Sequence, residues 1–235
     1  FGMVLSGGCF SRNLVRIASG SVKALLTMLL AAAVAAVTWQ GALSLLRAWL
    51  VEMPPHGIPS FGPAAPVVGM VLAAGLAAYC LSDPAFRRSR RDLAAGIGLG
   101  LLPPLLWLAV SGRLQPAAEA GLTFAVPTAR LLAGLTGSPM PGFAAALVGG
   151  TLLGAFAAAA QARQIRLETF AAREDLLRHL AGGLLMGLGG GLAAGCTIGH
   201  GLTGLALLAP GSGIAVAAMV TGACWALRWL VTGRL

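Results

Sequence analysis

Two glycine-rich turns each present one cysteine: Ser6-Gly7-Gly8-Cys9-Phe10-Ser11 near the start of the chain and Ala194-Gly195-Cys196-Thr197-Ile198-Gly199 near its end. Gly8 and Gly195, immediately before each thiol, remove the side chains that would keep a ligand away from sulfur and backbone. Where a helix begins just past such a turn, its free N–H groups and positive dipole end favour a bound anion. A thiol there supplies a weak S–H donor and a weak sulfur acceptor. His200, between two glycines and four positions after Cys196, either donates to an anion or holds the backbone of the turn. Thr197, Thr203 and Ser11 can bind substrate or exposed backbone. Arg12, Arg16 and Lys23 can guide an anion or anchor at head groups, and Asn13 can serve either purpose. Cys80, at a predicted helix end before Leu81-Ser82-Asp83-Pro84, lines a vestibule or simply packs, whereas Cys224 sits mid-helix and reads as packing.

Each cysteine segment is followed by small residues ending in Gly-Ser (Gly20-Ser21 and Gly211-Ser212) and then by a long apolar run. A duplicated half-helix, turn and helix unit in a membrane protein marks a central substrate site. The chain of 235 residues is 57% hydrophobic and only 10% charged. A soluble domain has about a quarter of its residues charged, so this is an integral membrane protein. Apolar runs fall at Val22–Gln40, Ala64–Leu81, Leu93–Val110, Gly121–Leu135, Phe143–Ala160, Leu180–Ala194 and Gly213–Val231. Pro127 breaks the short Gly121–Leu135, and Leu180–Ala194 is dense in glycine, which costs helix stability unless close packing or a break requires it.

Non-helical backbone at membrane depth is tolerated only where protein buries it or a cavity wets it. The segment from Gly195 to Gly201 is therefore expected to be a re-entrant turn between two short helices, and Phe1–Val15 the same device. The proline-rich stretch Val51–Pro66 cannot be regular helix, and Gln161–His179, with acids among its arginines, is expected as an amphipathic helix at the interface. The chain opens inside an apolar segment, and further helices are expected to precede it.

The net charge of +9 gathers in Arg87, Arg88, Arg90 and Arg91, and in Arg163, Arg166, Arg173 and Arg178. Between apolar runs these arginines anchor loops at the cytoplasmic face rather than bind nucleic acid. The four cysteines form no Cys-x-x-Cys pair and no even loop-borne pattern, and no histidines stand at ligand spacing. Neither a structural metal nor a disulfide scaffold is expected, and no cofactor. There is no phosphate-binding Gly-x-x-x-x-Gly-Lys loop and no dinucleotide fingerprint. The seven acids all lie in or beside predicted loops, so no intramembrane carboxylate relay is visible.

Two topologies remain open on charge alone. With both arginine clusters cytoplasmic, Gly121–Leu135 does not span and both cysteine turns enter from one side. If Gly121–Leu135 spans, the second turn enters from the opposite side and the repeat is inverted.

Gly2-Met3-Val4-Leu5-Ser6-Gly7-Gly8-Cys9, Arg12-Asn13-Leu14-Val15-Arg16 and Gly20-Ser21-Val22-Lys23-Ala24-Leu25 resemble the first signature of the YeeE/YedE family of sulfur transporters. The run from Leu185 through Gly189-Gly190-Gly191-Leu192-Ala193-Ala194-Gly195-Cys196-Thr197-Ile198-Gly199-His200-Gly201 to Gly204 resembles the second, and Asp83-Pro84-Ala85-Phe86-Arg87 and Arg166-Leu167-Glu168-Thr169-Phe170 also fit. The resemblance implies an all-α, multi-pass, hourglass-shaped protein of the bacterial inner membrane. It implies re-entrant half-helices and an inverted internal repeat, here one transport domain over residues 1–235 with halves near 1–110 and 111–235.

The resemblance also implies thiosulfate as substrate, or a related sulfur or selenium species, handed between thiols that line the central path. Cys9 and Cys196 would be those thiols, with Cys80 a weaker match. The expectation is thus a transporter or channel-like facilitator, not an enzyme, embedded in lipid and working beside a small cytoplasmic sulfur-carrier protein. The competing readings are a sulfurtransfer or redox protein using a cysteine persulfide, and an accessory subunit of a larger membrane complex.

Overall fold

The computed structural model describes residues 1–52, 65–110, 122–134, 137 and 142–233. The expected proline loop falls largely outside these residues. In chain order the helices are α1 (Gly2–Leu5), α2 (Phe10–Ala18), α3 (Val22–Gln40), α4 (Ser44–Glu52), α5 (Ala65–Ser82), α6 (Pro84–Arg88), α7 (Arg90–Val110), α8 (Ala125–Gly134), α9 (Gly142–Gln161), α10 (Arg173–Leu192) and α11 (Pro210–Thr232), with a π-helical segment at Gly199–Gly204 before the last. Among the described residues the extended pairing is one isolated bridge, Ser21 with Glu168. The protein is an all-α membrane protein: Val22–Trp39, Gly142–Gln161 and Pro210–Thr232 are long and apolar enough to cross a bilayer.

Glycines set the central packing. A methyl group on Gly183 would meet Thr27, one on Gly187 would lie 2.5 Å from the Ala31 carbonyl and against Val34, and one on Gly191 would meet Ala35 and Thr38. Sequence numbers rise together on both helices, so α3 and α10 run parallel at a separation that only glycine allows. The density of glycine in Leu180–Ala194 is thus explained by close packing. Gly2 lies against Gly182 and Met186, while Ser6 lies against Gly182, so α1 runs antiparallel to α10. Phe1 caps this arrangement, its ring centroid 5.9 Å from that of Trp225 and 6.0 Å from that of Trp229 on α11.

The chain between α9 and α10 departs from the expected interfacial helix. After Gln161 it is irregular until Arg173. Its backbone pairs instead with the α2–α3 turn: Arg166 N–H donates to Ser19 O at 3.0 Å, Glu168 N–H to Gly20 O at 3.2 Å, and Val22 N–H to Glu168 O at 3.0 Å. Gly20, at φ +97°, adopts the left-handed backbone that this turn needs, and a side chain there would strike Arg166 O. Tertiary backbone bonds therefore override an amphipathic pattern that by itself favours helix.

Candidate functional site

Each cysteine stands where one half-helix ends and the next begins. Leu5 ends α1, Gly7 takes a left-handed φ of +70°, Cys9 is the N-cap of α2, and α2 carries the chain to the turn that starts α3. Leu192 ends α10, Ala194 takes φ +57°, and Cys196 immediately precedes helical residues that run through the π-helical segment to the turn before α11. The match is residue for residue across the break: Gly7 with Ala194, Gly8 with Gly195, Cys9 with Cys196. It slips by one further on, because Val22 opens α3 13 positions after Cys9 whereas Pro210 opens α11 14 positions after Cys196. A π-helix accommodates one extra residue in a helical path, and Gly199–Gly204 absorbs it.

The chain continues in the same sense across each break. Phe10, Leu14 and Ile17 of α2 pack in the core with Met28 and Ala31 of α3. α2 turns directly into α3 and therefore runs against it, which is the sense of α1. In the second half Gly204 lies against Ser212 and Gly201 against Val216, so the segment after Cys196 runs against α11. α1 and α10, the equivalent elements, are antiparallel. The N-terminal ends of two half-helices consequently approach the interior from opposite directions, which presents two positive dipole ends to a common space.

That space is a cavity of about 320 Å³ lined by Cys9, Cys196, Thr197, Gly189, Gly190 and Met219 among others. The Cys196 side chain is 5% exposed, and its sulfur accepts from Phe124 N–H at 3.3 Å, Gly199 N–H at 3.4 Å and the Thr123 hydroxyl at 3.7 Å. In these contacts the sulfur is the acceptor, and the one donor the thiol can offer a ligand is its S–H. Cys9 Sγ lies 3.3 Å from Ser11 Oγ, and the Thr197 hydroxyl and the Arg12 amide also face it. Arg12 and Gly199 hold the same position after their cysteines, so the same backbone donor recurs in both halves.

A family model described as "Sulphur transport" matches residues 1–225. The chain belongs to this sulphur transport family. A thiosulfate transporter (TsuA) of Spirochaeta thermophila is 31% identical over 258 aligned residues, covering 99% of this chain and 75% of that protein. A thiosulfate transporter (TsuA) of Escherichia coli K12 is 32% identical over 153 residues, covering 63% of this chain and 42% of that protein.

Within this sulphur transport protein the residues singled out in the sequence divide. Cys9, Cys196, Thr197 and Gly195 line the cavity. Gly8 lies in the break itself, against the stem of Arg12, and its carbonyl accepts from Ser6 and Asn13. His200 has both ring nitrogens engaged, Nε2 with Ala193 O at 3.1 Å and Nδ1 with Ser212 Oγ at 3.2 Å. Cys80 is exposed on α5 and lies apart from the cavity. Cys224, read as packing, is exposed on α11. Thr123 and Phe124 were missed: they precede α8 in a stretch broken by proline, and nothing in their types marks them as partners of a sulfur 73 and 72 positions away.

Proposed function

We propose that this chain carries thiosulfate, or a closely related sulfur or selenium species, across the bacterial inner membrane through the cavity between Cys9 and Cys196. The observation that carries the reading is the convergence of two half-helix N-termini, each capped by a cysteine, on one space. An anion leaving water needs replacement hydrogen bonds, because desolvation without them costs several kcal/mol or more. Half-helix amides, the Thr197 hydroxyl and two S–H groups supply them, and each is weak enough for release. The terminal sulfur of thiosulfate accepts from a thiol, so the ion passes from one cysteine to the other with no covalent bond made. The names of the relatives support transport over a sulfurtransfer enzyme or an accessory subunit. Membrane lipid covers the apolar helices, and a small cytoplasmic sulfur-carrier protein receives the product, a partner that rests on the family alone.

The test is uptake of radiolabelled thiosulfate into proteoliposomes. Cys196→Ala and Cys9→Ala are each expected to cut uptake by roughly tenfold or more, the scale of losing a preorganised donor, while the purified variants remain monodisperse. Wild-type rates in Cys196→Ala would overturn the proposal.

A further inference from the structure

Asn13 and His200 hold the same place in the two halves: each stands four positions after its cysteine. Each sends a side-chain N–H back into its own break, Asn13 Nδ2 to Gly8 O at 3.1 Å and His200 Nε2 to Ala193 O at 3.1 Å. Asn13 is fully buried. The carbonyl of Ala193 caps α10, where the last turn of a helix has lost its intrahelical donors. In membrane such an orphan acceptor must find a donor from the protein. Only a ring N–H at Nε2 can serve a carbonyl, which leaves Nδ1 to meet the Ser212 hydroxyl near the start of α11. The Nε2 side of the imidazole also lies against Gly195, where a methyl group would sit 2.7 Å from Nε2.

Resting on the transport reading above, we infer that His200 is a positioning residue: it braces the Cys196 break between α10 and α11 and acts on the substrate through the cysteine, not by touching it. Asn13 is its counterpart for Cys9. The brace holds Ala194 in its left-handed conformation and keeps Gly199 N–H and the Cys196 sulfur at bonding distance, because the residue that donates from Gly199 is the direct neighbour of His200. The two counterparts differ in reach. His200 ties its break to the following long helix through Ser212, whereas Asn13 Oδ1 has no partner.

Two amides separate the contacts. Glutamine at 200 places its amide nitrogen near the site of Nε2 and keeps the Ala193 bond, whereas asparagine reaches only the site of Nδ1. Uptake of thiosulfate by proteoliposomes is measured beside the rate of N-ethylmaleimide labelling at Cys196, read by peptide mass spectrometry on the same full-length chains. His200→Gln is expected to keep uptake within about threefold and labelling at the wild-type rate. His200→Asn and His200→Ala are expected to lose roughly tenfold in kcat/KM, the scale of a misplaced reacting group, and to label Cys196 several-fold faster. If His200 touches the substrate instead, His200→Gln fails as His200→Ala does and labelling stays unchanged, which overturns the inference. Wild-type uptake in all three variants overturns it as well. If His200→Ala does not fold, the Gln and Asn pair carries the test. A wild-type chain that takes up no thiosulfate would sink the transport reading itself, whereas normal wild-type uptake with an indifferent His200 sinks only this brace.

Discussion

At the scale of single residues, the two breaks show the same backbone solved with different side chains. Gly7 adopts φ +70° at no steric cost, and Ala194 adopts φ +57° against the preference of an L-residue, a strain of about 1 kcal/mol. Ala194→Gly is therefore expected to leave the melting temperature of the purified protein unchanged or slightly raised, strain relief being offset by the entropy of glycine. Gly7→Ala is expected to lower it, since the added methyl brings the strain and also meets Arg16 Nη1 at 3.1 Å. A melting series in detergent decides this, and a stabilised Gly7→Ala would contradict the assignment of the left-handed turn. That each cysteine sits at a break was legible because the glycine-cysteine turn occurs twice, at Gly8-Cys9 and Gly195-Cys196. The role of His200 was legible only as a choice between two uses, because bonding partners 7 and 12 positions away depend on how the chain turns.

At the scale of elements, one glycine-rich stretch of α10 does two jobs on two faces. Gly187 presses on α3, where a methyl would lie 2.5 Å from Ala31 O, whereas a methyl on Gly189 would meet nothing within 4 Å and that residue lines the cavity. Gly187→Ala is expected to destabilise the protein by about 1 to 3 kcal/mol through overpacking. Gly189→Leu is expected to keep the fold and reduce thiosulfate uptake by filling the path. Thermal unfolding and proteoliposome flux, measured on both variants, should move in opposite combinations; a Gly189→Leu chain that unfolds would show that this face is packed rather than open. The positions of the apolar runs and of both breaks could be read from hydropathy and glycine, since both are local properties. The direction of the chain across each break could not, because it is set by contacts between α1, α3 and α10. For the same reason the segment after Gln161 looked helical: its acids and arginines have amphipathic spacing, yet its amides find partners on the α2–α3 turn.

At the scale of the whole molecule, an ion pair adds to the packing of α10 on α1 and α3. Glu168 Oε2 accepts from Arg16 Nη2 at 2.9 Å and from the Ser21 hydroxyl at 2.7 Å, which joins the turn between α2 and α3 to the connection before α10. The Arg16 guanidinium first, and the Ser21 hydroxyl second, hold the Glu168 carboxyl below its ordinary range. A carboxylate whose folded pKa lies below its unfolded value of about 4.3 stabilises the fold at any pH above that value. The contribution is lost as pH falls through the folded pKa, because the protonated acid no longer rewards the folded state. The Glu168 side chain is 48% exposed, so solvent screening limits the ion pair to under about 1 kcal/mol. The expected outcome is a wild-type melting temperature above that of Glu168→Gln at pH 7, with the gap closing as pH falls below about 4.3. Parallel melting profiles across that range would show that the ion pair adds nothing to the backbone bonds of Arg166, Glu168 and Val22.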